Sequence, residues 1–124
     1  MDETPLAFVV DDEPIVLRLV ARIFERSGVD VHPVEDGTSA VAWLQAAHPT
    51  VDRALIDATV PPNGAAAIIE ALRAHDPMAA IVMTSGKPLQ ADHRRLLDAV
   101  GAVYLAKPFG PQALLDAVEA ARPA

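Results

Sequence analysis

Five short apolar runs alternate along the chain with stretches in which apolar residues recur every three or four positions. The first run, Leu6-Ala7-Phe8-Val9-Val10, stops at Asp11-Asp12-Glu13-Pro14. This is the pattern of a buried strand followed by a loop and by a helix whose first turn tolerates proline. From Ile15 to Ser27 the apolar positions Val16, Leu19, Val20 and Ile23 keep helical spacing, with Arg18, Arg22, Glu25 and Arg26 opposite and Gly28 as a stop. Val29, Val31 and Val34 predict a second strand. Asp36-Gly37-Thr38-Ser39 supplies turn and cap chemistry before a helix from about Ser39 to Ala47, closed by His48-Pro49. Trp43 reads as a packing residue of that helix.

The third run, Arg53-Ala54-Leu55-Ile56, ends at Asp57, and Thr59-Val60-Pro61-Pro62-Asn63-Gly64 cannot continue it as a strand. Asn63 is the expected cap of a third helix carrying Ile68, Ile69 and Leu72 and ending before Asp76-Pro77. Ala80-Ile81-Val82-Met83 is a fourth buried strand that runs into Thr84-Ser85-Gly86. Leu96, Leu97 and Val100 mark a fourth helix stopped by Gly101. Residues 102–106 form a fifth strand ended by Lys107-Pro108, and a last helix spans about Pro111 to Ala121, with Leu114, Leu115 and Val118 inward. Five βα units in succession predict an α/β fold: one doubly wound domain with a five-stranded parallel sheet covered on both faces.

Composition narrows the function classes. At 124 residues the chain suits one domain. Seventeen acids against ten bases give a net charge of -7, and the bases form no run or stripe fitted to a phosphate backbone, which argues against direct nucleic-acid binding. Without cysteine there are no thiolate metal sites. The start, Met1-Asp2-Glu3-Thr4-Pro5, lacks the features of a secretory signal, and no apolar run approaches about 18 residues, so no membrane association and a cytoplasmic location are expected.

The polar residues of interest each stand at the end of a different strand: Asp11 and Asp12 after the first, Asp57 at the third, Ser85 at the fourth and Lys107 after the fifth. In a parallel sheet those ends share one edge, where ligands of open α/β folds bind. Carboxylates gathered there repel one another unless protonated or bridged by a hard cation, and an all-oxygen donor set suits magnesium rather than zinc. A hydroxyl and a lysine beside them suit an anionic group arriving on Asp57, which favours phosphoryl transfer to an aspartate.

Four segments, Phe8-Val9-Val10-Asp11-Asp12-Glu13-Pro14, Leu55-Ile56-Asp57 with Pro61, Thr84-Ser85-Gly86, and Tyr104-Leu105-Ala106-Lys107-Pro108-Phe109, resemble the response-regulator receiver domain of two-component signalling, the CheY-like family. The likeness runs over essentially the whole chain, 1–124. It implies the flavodoxin-like strand order 2-1-3-4-5. It implies Asp57 as phosphoacceptor from a histidine of a sensor kinase or phosphotransfer protein, Asp12 as a direct ligand of Mg²⁺ (or Mn²⁺), and Asp11 as an acid reaching the metal through water. Asp57 and the backbone carbonyl of Thr59 complete the implied metal set. Lys107 would pair with phosphoryl oxygens, Ser85 would bond the phosphorylated aspartate, and Tyr104 would turn inward when it does. Lys107-Pro108 is expected cis. The family's output face, on the fourth helix, fifth strand and fifth helix, would meet a partner, an output domain or a second copy; here it includes Arg94, Arg95, Asp98 and Glu119. Phosphorylation and dephosphorylation would be self-catalysed, so the domain is not an enzyme in the ordinary sense.

Some residues depart from the family pattern. Pro61-Pro62-Asn63-Gly64 is shorter than the usual proline-to-glycine spacing, which would displace the third helix. Gly101-Ala102-Val103-Tyr104 lacks the acidic pair of many winged-helix regulators. Thr59 and Lys87 occupy positions where an acid or amide could orient water, and they are expected to tune the lifetime of the phosphate. Glu13 reads as starting its helix, and Ser85 rather than Thr84 as the hydroxyl facing the site. The four histidines, His32, His48, His75 and His93, share no spacing and receive no catalytic role. Two other classes remain: a phosphorylation-independent interaction module of the same shape, and an Asp-nucleophile phosphatase of the haloacid-dehalogenase type. The latter would require a second Asp where Thr59 stands. Both a stand-alone receiver and one belonging to a longer protein fit the sequence.

Overall fold

The computed structural model describes residues 4–123; Met1–Glu3 and Ala124, the ends of the expected domain, lie outside them. Among the described residues β1 (Leu6–Val10), β2 (Asp30–Val34), β3 (Arg53–Asp57), β4 (Ala80–Ser85) and β5 (Val103–Ala106) form one parallel sheet in the order β2-β1-β3-β4-β5. Between and after them run α1 (Pro14–Arg26), α2 (Gly37–Gln45), α3 (Ala66–His75), α4 (Ala91–Val100) and α5 (Pro111–Ala120). The expected fold class and strand order are those observed.

Strand alternation divides the core into two layers. Phe8, Val10, Ile56, Ile81 and Met83 face α2, α3 and α4, where they meet Leu44, Ile69, Leu72 and Leu97. Ala7, Val9, Leu55 and Val82 face α1 and α5, where they meet Val20, Phe24, Leu114 and Val118. Both faces are covered, which is why β1, β3 and β4 are written as continuous apolar runs.

Three sequence expectations need correction. Asn63 does not cap the third helix: α3 begins at Ala66 after Ala65, without a side-chain cap. The chain first makes a turn at Gly64, whose φ is +80° and whose N–H donates to Val60 O at 2.8 Å. The second helix starts earlier than Ser39, at Gly37, because Asp36 is the cap and accepts the Ser39 N–H at 2.7 Å. On α1 the buried stripe is Leu17, Val20, Ile23 and Phe24, leaving Leu19 46% exposed and Ile15 73% exposed.

Register places the strand ends together. Val10 pairs with Ile56, Asp57 with Thr84, and Ser85 with Ala106. The ladders continue past the strands through Asp11 N–H to Val34 O (3.1 Å), Ala58 N–H to Thr84 O (2.8 Å) and Lys107 N–H to Ser85 O (2.9 Å). Asp11, Asp57, Ser85 and Lys107 are thereby carried to one edge by rigid backbone.

Candidate functional site

At that edge lies an open cleft lined by Asp12, Glu13, Asp57, Thr59, Ser85, Gly86, Lys87 and Lys107. Asp11, Asp57 and Ser85 are buried beneath its mouth, while Asp12 and Glu13 are exposed. Lys107, after β5, donates from Nζ to Asp11 Oδ2 at 2.8 Å, Glu13 Oε1 at 3.2 Å and Asp57 Oδ2 at 3.4 Å. The bond between Lys107 and Pro108 is cis, as expected, and Pro61-Pro62 is also cis. The other Asp57 oxygen, Oδ1, accepts from the Thr59 N–H at 3.1 Å and the Thr59 hydroxyl at 3.2 Å. The loop after β3 thus fixes the carboxylate that β3 delivers. Asp11 is fixed in the same way, its Oδ1 accepting from the Glu13 N–H at 2.9 Å.

One lysine is shared among three acids, and the electrostatics follow from that. Burial pushes the Asp11 carboxyl above its ordinary value, opposed by the hydrogen bond and charge of Lys107 and by the Glu13 N–H, and assisted by the nearby Asp57 charge. Burial alone would lower the Lys107 ammonium, but the hydrogen bond and charge of Asp11, with Asp57 and Glu13, raise it well above the ordinary lysine value. The lysine is held as a cation; the acids are left short of positive charge.

Asp11, Asp12, Glu13 and Asp57 each present one carboxylate oxygen, all within 4.8 Å of one another. The donors are oxygens only, their charge exceeds what Lys107 supplies, and Asp12 opens to solvent. Such a set fits a hard divalent cation that keeps part of its hydration shell. The sequence marks Glu13 only as a helix-starting acid. It is the cap residue of α1, yet its side chain also turns to Lys107. Its place directly after the acid pair is the signal that could have found it.

Ser85 lines the cleft, whereas Thr84, one step back along β4, is buried and does not. The Ser85 hydroxyl oxygen accepts from the Lys87 N–H at 3.0 Å. The Tyr104 hydroxyl donates to Lys87 O at 3.0 Å and, more weakly, to Ser85 O at 3.4 Å. The backbone of Lys87 therefore joins the two residues expected to move together. Nothing in the sequence pattern marks that connection. Among the described residues no helix is long and apolar enough to cross a membrane.

Comparison with known proteins agrees with this architecture. Residues 7–119 match the family model described as the response regulator receiver domain. The alkaline phosphatase synthesis transcriptional regulatory protein PhoP of Bacillus subtilis is 30% identical over 112 residues, covering 90% of this chain and 46% of that protein. The chain spans about half the length of the curated relatives it matches. A CheY-like receiver domain from Methanospirillum hungatei superimposes with a TM-score of 0.83 at 21% identity, over 94% of this chain and 92% of that one. The chemotaxis response regulator CheY4 of Vibrio cholerae gives 0.80 at 25%, over 95% and 98%. On the family match over nearly its whole length, together with the sheet order, the chain belongs to the response regulator receiver domains of two-component systems, a signalling family rather than a class of conventional enzymes.

Proposed function

We propose that this chain is a phosphorylatable receiver that takes a phosphoryl group onto Asp57 from a phosphohistidine of a sensor kinase or phosphotransfer protein in the cytoplasm. The observation that carries the reading is the convergence of Lys107 Nζ on Asp11, Glu13 and Asp57 in a single cleft at the sheet edge. An Asp57 oxygen attacks phosphorus, the N–P bond breaks, and the imidazole nitrogen leaves with the bonding pair. Thr59 holds Asp57 Oδ1 and so orients the carboxylate for attack. Lys107 exchanges part of its contact with the acids for the incoming phosphoryl oxygens, offsetting charge where it develops. Asp11, Asp12, Asp57 and the Thr59 carbonyl would hold Mg²⁺ or Mn²⁺, which neutralises charge on the phosphoryl oxygens when bound.

The phosphoryl group adds about -1.5 to -2 charges. Ser85 can donate its hydroxyl hydrogen to the new oxygens, and this pulls on the Lys87 turn that holds Tyr104. The output face is α4, β5 and α5, where a partner, an output domain or a second copy would sense the altered Tyr104. Beside the cleft, Val16, Leu19, Pro108 and Phe109 line an apolar groove, and Ile15, the residue before Val16 on α1, is exposed. A protein donor can seat there with its histidine over Asp57.

The deciding experiment is intact mass after incubation with acetyl phosphate, with and without Mg²⁺, on the parent and on Asp57→Asn. A magnesium-dependent gain of one phosphoryl group that the variant lacks is expected. Absence of any gain, with acetyl phosphate and with phosphorylated kinases alike, would replace this reading with a phosphorylation-independent interaction module.

A further inference from the structure

Two of the four histidines, unrelated by spacing, stack on Trp43, and a third lies beside one of them. The rings of His32, Trp43 and His48 stack in succession with centroids 4.3 and 4.4 Å apart, and His75 presents an edge-on ring 6.1 Å from His48. They come from β2, α2, the loop after α2 and the end of α3. Because the helices run back against the strands, the ends of α2 and α3 lie at the sheet edge opposite Asp57.

The His48 ring has a defined proton. Its Nδ1 lies 2.7 Å from the Pro49 carbonyl oxygen, which can only accept, so Nδ1 is the donor. Nε2 faces Asp76 Oδ2 at 3.8 Å, beyond hydrogen-bonding distance, and both side chains are 7% exposed. Asp76 Oδ1 accepts the Val51 N–H at 3.2 Å, but Oδ2 is buried with no hydrogen-bond partner among the described residues. A buried carboxylate oxygen without a hydrogen bond and an imidazole nitrogen thus face one gap, at ion-pair range with the ring protonated and unbonded to each other. A cation between them would fill it.

We propose that His48 Nε2 and Asp76 Oδ2 are two ligands of a second metal site, for a borderline divalent ion such as Zn²⁺ or Ni²⁺, with exposed His75 turning in as a third. Bonds of about 2.0–2.2 Å place two ligand atoms on one ion at separations up to about 4 Å, which the 3.8 Å gap satisfies. The His48 N–H donated to a backbone carbonyl is the outer bond that fixes a ligating tautomer, and the Trp43 stack holds the ring plane. An imidazole and a carboxylate select such ions over Mg²⁺, in contrast to the all-oxygen cluster at the other edge. A bound ion would clamp the loop after α2 to the end of α3.

Trp43 is the single tryptophan of the chain, so it reports on the site directly. The protein, first freed of metal by a chelator, is titrated with Zn²⁺ and separately with Ni²⁺, following Trp43 fluorescence and binding heat. Saturable binding of one ion with a change in Trp43 emission is expected, and Mg²⁺ should leave that emission unchanged. Asp76→Asn and His48→Phe should each weaken binding by about tenfold or more, with thermal melts in chelator confirming that both are folded. Should Asp76→Asn fail to fold, His48→Phe, which keeps an aromatic ring on Trp43, decides alone. No saturable binding, or an affinity that the folded variants leave unchanged, would overturn the site.

Discussion

Asp11 is the acid of the sheet-edge cleft whose charge burial opposes. It is 2% exposed, shares Lys107 with Glu13 and Asp57, and is pushed above the ordinary carboxylate value by burial. A group whose folded pKa is raised contributes stability that is present below the unfolded value, 3.8, and is lost as pH rises through the folded value. Asp11→Asn removes that loss. In magnesium-free buffer the variant should melt no lower than the parent, and its advantage should grow as pH rises from 4 to 7. The parent should regain the difference on adding Mg²⁺: at a hundredfold excess over Kd, linkage gives about 2.7 kcal/mol, which Asp11→Asn should largely forfeit. Melting curves at several pH values with and without Mg²⁺ test both halves; a variant less stable than the parent without Mg²⁺ would show that the Lys107 contact outweighs burial. The main acids were legible because strand ends in a parallel sheet share an edge. The His48–Asp76 pair was not, since its contact depends on where a loop and a helix end return in space, and Glu13, directly after the acid pair, reads first as a helix-starting acid.

Elements were legible to different degrees for physical reasons. Strands covered on both faces must be apolar throughout, so β1, β3 and β4 stand out in the sequence. The start of α3 did not, because a left-handed turn precedes it. Gly64 has φ +80°, and a Cβ there would lie 2.9 Å from the Ala58 carbonyl oxygen, a backbone atom in the loop that also carries Thr59. Gly101, which ends α4, has φ +69° but open space around it. Both glycines are conformationally required; only one is also sterically required. Gly101→Ala should therefore cost about 1 kcal/mol and Gly64→Ala about 2–3 kcal/mol, since backbone must also move. Urea unfolding of the two variants measures this. Equal costs would mean that the loop after β3 yields freely, and it would then be a poor platform for the Thr59 carbonyl. Helix faces were legible only to within a fraction of a turn: Leu19 keeps helical spacing with the core positions yet sits outside them.

At the scale of the whole molecule, that misplaced leucine acquires a use. Leu19 and Ile15 are large exposed hydrophobics on α1, and Leu19 lines, with Val16, Pro108 and Phe109, an apolar groove that shares Glu13, Gly86 and Lys107 with the cleft that holds Asp57. Under the proposed function, a small phosphodonor would need only the cleft, whereas a protein donor would also rest on the rim. The two routes to Asp57 can therefore be separated by substitutions that leave the acids and Lys107 untouched. Ile15→Asp with Leu19→Asp should leave phosphorylation by acetyl phosphate at the parent rate, because neither side chain reaches the reacting atoms. Transfer from a sensor kinase that phosphorylates the parent should slow by about tenfold or more, equivalent to about 1.4 kcal/mol of apolar burial that the interface with the donor no longer gains. Rates from both donors, measured on the same preparations by intact mass over time, make the comparison internal. An equal fall with both donors would place the effect in the cleft or the fold, and unchanged rates with both would move the donor's footing off α1. Only the split result ties the apolar rim to recognition and the acidic cleft to chemistry. The face of α4, β5 and α5 would then be free to report the outcome to a different partner.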